Sequence, residues 1–204
     1  MGPFLLPLLV LANVLGVGMI VPQAVRLGRT RTVDGVSATW VGGSMAMNLW
    51  WLGYGLESQL WGLIPVSSGA LVVYSVIALQ LRLLAGPNTV LPLLASIGSV
   101  SAVLVTILAT SGWPSVGLAL GLAYGLQFAP AAAKVLQPGP HAGVAPSTWL
   151  MAVTEAAIWV VYGLAVADRA LILGGMGGTV MATIILVRLA TDSGGRPISP
   201  LATG

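Results

Sequence analysis

Long apolar runs separated by short polar breaks make up most of the chain. A bilayer core needs about 20 apolar residues per helix. On that measure seven runs predict transmembrane helices, over about 5–27, 38–56, 61–84, 90–110, 115–136, 146–166 and 170–190. The tightest connection falls between the sixth and seventh, at Asp168 and Arg169. The opening stretch, MGPFLLPLLVLANVLGVGMIVPQ, has no basic start. It also outruns the apolar core of about 7–15 residues in a secretion signal, so it reads as a retained first helix. The tail from about 191, TDSGGRPISPLATG, has nothing to bury and reads as disordered.

Composition narrows the class. The chain is 57% hydrophobic and 6% charged, against about 25% charged residues in a soluble domain. Eight Lys/Arg and five Asp/Glu cannot cover the surface of a soluble protein of 204 residues. The 27 glycines fit transmembrane helices, where small residues let backbones approach closely. The absence of cysteine excludes a disulfide scaffold and a thiolate metal site.

The basic residues speak to orientation. A nucleic-acid-binding domain would gather them on a polar face. Here the one tight cluster, Arg26, Arg29 and Arg31, lies between two apolar runs, so no nucleic-acid partner is expected. With the N-terminus outside, these three and Arg82, Lys134, Arg188 and Arg196 fall on the cytoplasmic side, leaving Arg169 outside. That bias satisfies the positive-inside rule for an odd number of spans. Glu57 and Asp168 then lie outside and His141 inside. The expectation is a multi-pass protein of the cell inner (plasma) membrane with a cytoplasmic C-terminus.

A shift of 108 residues matches the two ends of the chain without a gap. Pro22 falls on Pro130, Trp51 on Trp159, and Tyr54, Gly55 and Leu56 on Tyr162, Gly163 and Leu164. Gly35 and Val36 fall on Gly143 and Val144, and Gly69 on Gly177. The repeat unit is therefore three helices. Three spans end on the side opposite their start, so a copy placed directly after would be inverted. The fourth helix restores the orientation. The expected fold is an all-α membrane protein of seven transmembrane helices, arranged as two parallel three-helix bundles joined by a linker helix. Residues 1–84 form the first bundle, 85–114 the linker, 115–190 the second bundle and 191–204 a cytoplasmic tail. Such repeats characterise transporters, whose substrate site lies at the repeat interface.

The run VPQAVRLGRTRTVDGVS at 21–37, followed by LWWLGYG at 49–55, resembles the PQ-loop signature of the SWEET and half-size bacterial sugar transporters. The second copy, APAAAKVLQPGPHAGVAPSTW at 129–149, is a degenerate version with Ala131 in place of the glutamine. The resemblance implies a 3+1+3 bundle with an outward N-terminus. Sugar carriers of this family place an asparagine early in the third helix of each repeat. Here PVSSGA at 65–70 offers Ser67 and Ser68, and LGGMGG at 173–178 offers no polar side chain. The family also carries amino acids, so the resemblance leaves the solute class open.

Glu155 is the sharpest candidate, because an ionised carboxylate mid-helix is costly in hydrocarbon. It reads either as a pocket residue, and then as the proton-coupling candidate, or as a structural acid bonded to a neighbouring helix. Glu155, Trp159 and Tyr162 share one helical face, matched by Met47, Trp51 and Tyr54 in the first copy. Trp51 and Trp159 could stack on a solute or form ordinary core. Tyr54 and Tyr162 read as pocket residues or interfacial anchors, as Trp40, Trp61 and Trp113 do more simply. Asn48 points about 100° from the Met47 face, to the cavity edge or to another helix. Pro22 and Pro130 would kink the first helix of each repeat and act as hinges. Gly174 and Gly178 form a small-residue pair suited to close packing.

These residues predict a small-solute transporter working by alternating access, for a small polar solute such as a sugar or amino acid, passive or proton-coupled. The alternative is a receptor or accessory protein that binds without translocating. An enzyme is not expected: His141 stands alone, and no metal ligand set, cofactor motif or nucleophile accompanies it. The lipid bilayer is the obligate partner. A homo-oligomer is possible but not required, since one chain already holds both bundles.

Overall fold

The computed structural model describes residues 4–33, 36–137 and 146–194. Asp34, Gly35, His141, Gly143, Val144 and Arg196 lie outside the described residues, as do the side chains of Pro130 and Lys134. Every regular element among the described residues is helical. In chain order they are α1 (Leu5–Gly18), α2 (Val21–Thr30), α3 (Ala38–Glu57), α4 (Leu63–Ala85), a 3-10 turn (Pro87–Thr89), α5 (Val90–Leu126), α6 (Ala129–Leu136), α7 (Pro146–Ala165) and α8 (Arg169–Gly194).

Among the described residues, five stretches are long and apolar enough to cross a membrane: Leu5–Thr30, Leu63–Ala85, Pro87–Ala133, Pro146–Ala165 and Arg169–Thr191. The 20-residue α3 is as long as α7 but less apolar, because Asn48, its glycines and its tryptophans dilute it. The outer faces expose large apolar side chains, among them Phe4, Val72, Leu83, Leu91, Val180 and Val187. Patches of that kind are a liability in water and a fit for lipid.

Pro87–Ala133 spans 47 residues. As one straight helix it would measure about 70 Å, more than twice the hydrocarbon thickness. It turns at Gly112, whose φ of 73° and ψ of 179° leave the helical region. Glycine adopts that conformation without a steric penalty, and Pro114 suits the first turn of the helix that follows. The contacts reverse direction there. Before Gly112, α5 runs alongside α3, with Ser96 beside Gly43 and Ser101 accepting from Trp50 Nε1 at 3.1 Å. After it, Gly117 lies against the Tyr54 ring, Gly121 against Ala170 and Gly125 against Gly177. The break falls between the runs expected to end near 110 and start near 115.

The first run is interrupted just before Pro22. α1 ends at Gly18, and α2 starts at Val21 with Pro22 in its first turn. Met19 and Ile20 between them keep right-handed helical angles, and their N–H groups donate to the Leu15 and Val17 carbonyls at 3.0 Å. The second copy does the same: α5 ends at Leu126, and α6 starts at Ala129 with Pro130 second. Proline has no N–H to continue the ladder, so each run is interrupted at the turn before its proline.

The two copies also share a turn. After α3, Ser58, Gln59 and Leu60 donate to Tyr54, Leu56 and Gly55 carbonyls at 2.9, 3.3 and 2.8 Å. After α7, Val166, Ala167 and Asp168 donate to Tyr162, Leu164 and Gly163 at 3.0, 3.4 and 2.8 Å. Each partner is displaced by 108. Gln59 and Ala167 both sit in the left-handed region, at φ 56° and 55°. This is the six-to-one helix cap, which glycine favours. Packing follows the same scheme: α3 lies on α4 and α7 on α8, while α1 fits between α4 and α7 and the second run of α5 between α8 and α3.

Since neither left-handed position carries glycine, Gln59→Gly and Ala167→Gly should each stabilise the protein by about 1 kcal/mol. Thermal unfolding in detergent would read this as a raised midpoint. A lowered midpoint for either variant would contradict the left-handed turn.

Candidate functional site

A cavity of about 730 Å3 opens where α1, α2, α3, α4, α7, α8 and both runs of α5 meet. Its lining repeats at the same offset. Gly16 and Tyr124 both face it, as do Met19 and Gln127, Met47 and Glu155, and Trp51 and Trp159. Matched residues facing one space are what an approximate twofold axis through that space produces.

The cavity is closed at one end. There Trp159, Leu63, Ala170 and Leu171 are buried, backed by a core of Leu9, Tyr54, Leu60 and Tyr162. Tyr54 Oη donates to Asp168 Oδ2 at 2.6 Å, and Asp168 Oδ1 accepts from the Leu171 N–H at 2.8 Å, capping α8. Tyr162 Oη accepts from the Gly62 N–H at 3.4 Å. Both bonds join one copy to the other. The Trp51–Tyr54 and Trp159–Tyr162 pairs stand edge to face at 5.9 and 6.1 Å. At the other end the lining is exposed at Trp40, Gln127 and Thr148. Trp40 meets Tyr74 there at 5.5 Å, and Phe128 meets Trp149 at 5.8 Å.

Glu155 is 4% exposed and is the only charged residue among the described lining residues. Tyr124 Oη donates to its Oε2 and Trp159 Nε1 to its Oε1, both at 2.9 Å. Two neutral donors thus meet the need of a buried carboxylate for partners. The opposite wall is α1 at Gly16. A Cβ there would stand 2.8 Å from Glu155 Oε1 and 2.7 Å from Val66 Cγ2. The acid therefore fits because the residue facing it has no side chain.

The residues singled out by sequence fall into two groups. Glu155, Trp51, Trp159, Asn48 and Ser67 line the cavity. Ser67 is buried, and Asn48 Nδ2 donates to the Ser44 carbonyl at 2.9 Å. Ser68 is half-buried and lies off the lining, while Tyr54 and Tyr162 are buried behind the closed end. Pro22 is exposed on α2, away from the lining. Gly174 and Gly178 pack against Gly121 and Tyr124. Sequence reasoning missed Tyr124, Phe128 and Trp149, and it assigned Trp40 to a membrane interface although it lines the open end. A signal for Tyr124 existed: it stands three residues before Gln127, on one face of the helix preceding the degenerate motif. No group of His, Asp or Glu among the described residues could hold a metal ion.

The Gly16–Glu155 contact makes a prediction. Gly16→Ala should destabilise the protein by about 1–3 kcal/mol through overpacking. The loss should shrink in a Glu155→Ala background, leaving only the Val66 contact. A double-mutant cycle on unfolding measures this, and equal losses in both backgrounds would contradict it. The chain matches no family model and no curated protein.

Proposed function

We propose that the chain is a small-solute transporter working by alternating access. It is built as two parallel three-helix units, each with its first helix broken, around the first run of α5 as a linker span. The observation that carries this reading is the central cavity, lined by matched residues of both copies, closed at one end and exposed at the other. A solute bound beside Trp51 and Trp159 has one way out. Changing that exit requires the two copies to tilt about the axis between them.

The sequence resemblance to PQ-loop and SWEET transporters supports the same reading. Orientation follows from charge: the exposed end of the cavity lies by α2, which bears Arg26 and Arg29, and so faces the cytoplasm under the positive-inside rule. The closed end is then the outer gate. Among the described residues its two hydrogen bonds between copies, from Tyr54 and to Tyr162, are the side-chain bonds that outward opening must break. A hydrogen bond to a charged group contributes about 1.5–3 kcal/mol, so losing the Tyr54–Asp168 bond shifts the balance between states about tenfold or more.

Two measurements test this. Purified protein in liposomes should carry a labelled solute that it binds, drawn from a panel of sugars, amino acids and amines. Binding without flux would overturn the transport reading in favour of a receptor. The chain has no cysteine, so Met47→Cys reports access to the cavity. A membrane-impermeant maleimide should label it from the cytoplasmic side. Tyr54→Phe should raise labelling from the outside several-fold, and no rise would remove Tyr54 from the gate.

A further inference from the structure

Within the transport reading, we infer that the solute is an organic monocation: an amine with an apolar or aromatic body and no carboxylate of its own. The inference rests on charge balance in the cavity. Glu155 faces the space from α7, almost wholly buried, with no Arg, Lys or His among the described lining residues to neutralise it. A carboxylate has about four acceptor sites, and Tyr124 and Trp159 each occupy one. The remaining sites suit an ammonium group, whose charge offsets the cost of holding the acid ionised in a dry site.

The aromatic lining suits the rest of such a molecule. Trp51, Tyr124 and Trp159 line the cavity with the acid, and their rings offer apolar surface for an aromatic or alkyl body. The rest of the lining narrows the class. A zwitterionic amino acid would bring a carboxylate that meets no cationic side chain among the described lining residues. A sugar could stack on the tryptophans and find partners in Ser44, Asn48 and Gln127, but it carries no charge to balance Glu155. The position matched to Glu155 is Met47, a soft apolar residue. The cavity thus offers its charge from one copy only, and a molecule charged at one end fits that asymmetry.

The test uses four probes on the purified full chain, with binding measured by calorimetry at neutral pH. Phenethylamine is cationic, phenylethyl alcohol is its neutral counterpart, phenylalanine adds a carboxylate, and glucose is a neutral sugar. Phenethylamine should bind about tenfold or more tighter than each of the others, the effect expected of one charge-assisted hydrogen bond. Glu155→Gln should abolish that preference, so that the amine binds no tighter than the alcohol. The inference is overturned if the alcohol binds as tightly as the amine, if glucose or phenylalanine binds tightest, if none binds, or if the preference survives in Glu155→Gln. Should that variant fail to fold, the comparison on the unmodified protein decides alone. Flux is a separate readout. Amine-selective binding without transport would overturn the transport reading and leave the cation preference standing. Transport without amine preference would do the reverse.

Discussion

A backbone polar group left unpaired in hydrocarbon costs several kcal/mol, and no water is there to relieve it. That constraint fixes where this chain can leave the helix. Irregular backbone is tolerated at membrane depth only where it is buried in protein or lines a cavity. The two breaks within the repeat obey this. Met19 and Ile20 separate α1 from α2, Gln127 and Phe128 separate α5 from α6, and all four residues line the cavity. The interruptions and the cavity thus coincide: the helix ladder is weakest where the backbone borders the cavity. The described residues with positive φ, Arg31, Gln59, Gly86, Gly112 and Ala167, all sit where a helix ends or the chain reverses.

Repetition made the scaffold, and divergence made the site. The backbone matches at an offset of 108 down to individual turn hydrogen bonds. The side chains that give the cavity its charge do not. Positions 16 and 47 are Gly and Met in the first copy, and their counterparts are Tyr124 and Glu155. The two changes are interlocked. Glu155 needs Tyr124 as a donor, and it needs Gly16 to remain small because α1 packs against α7 there. A symmetric version with Tyr at 16 would fill the space the carboxylate occupies.

Much of this was legible in the sequence. Apolar runs placed the helices, and paired Trp, Tyr and Pro residues gave the repeat, because both signals depend on local spacing. Glu155, Trp51 and Trp159 stood out because a charge or a matched ring is conspicuous in an apolar chain. The partner of Glu155 did not, since Tyr124 sits on a different helix and only packing brings them together. Pro22 and Pro130 marked where each run is interrupted, while the residues at the interruption, two and three positions earlier, are apolar or amide side chains of no special type. Trp40 resembled an interfacial residue for a similar reason: a tryptophan at a helix end looks the same from the sequence whether it faces lipid or the mouth of a cavity.

The glycines of α8 connect packing to the site. In lipid the hydrophobic effect does not drive helices together, so close contact must. Gly121 meets Gly174, Gly125 meets Gly177, and Gly175 sits so near α7 that an added Cβ would stand 2.7 Å from the Ala156 carbonyl oxygen. The matching positions of α4 are Val66, Ser67 and Gly69, and there the Gly69 contact is with the Val17 side chain instead of backbone. Backbone-to-backbone contacts have no rotamers to adjust, so the second run of α5, α7 and α8 form one closely packed body. Tyr124, Glu155 and Trp159 belong to the second run of α5 and to α7, and their two hydrogen bonds stay within that body. The first copy reaches the same group through α1, where Gly16 lies against the Glu155 carboxylate. A carboxylate held in place on rigid elements costs less ordering when a ligand arrives. Sequence LGGMGG, which carries no polar side chain, thus serves the site by fixing the helices that bear its polar residues.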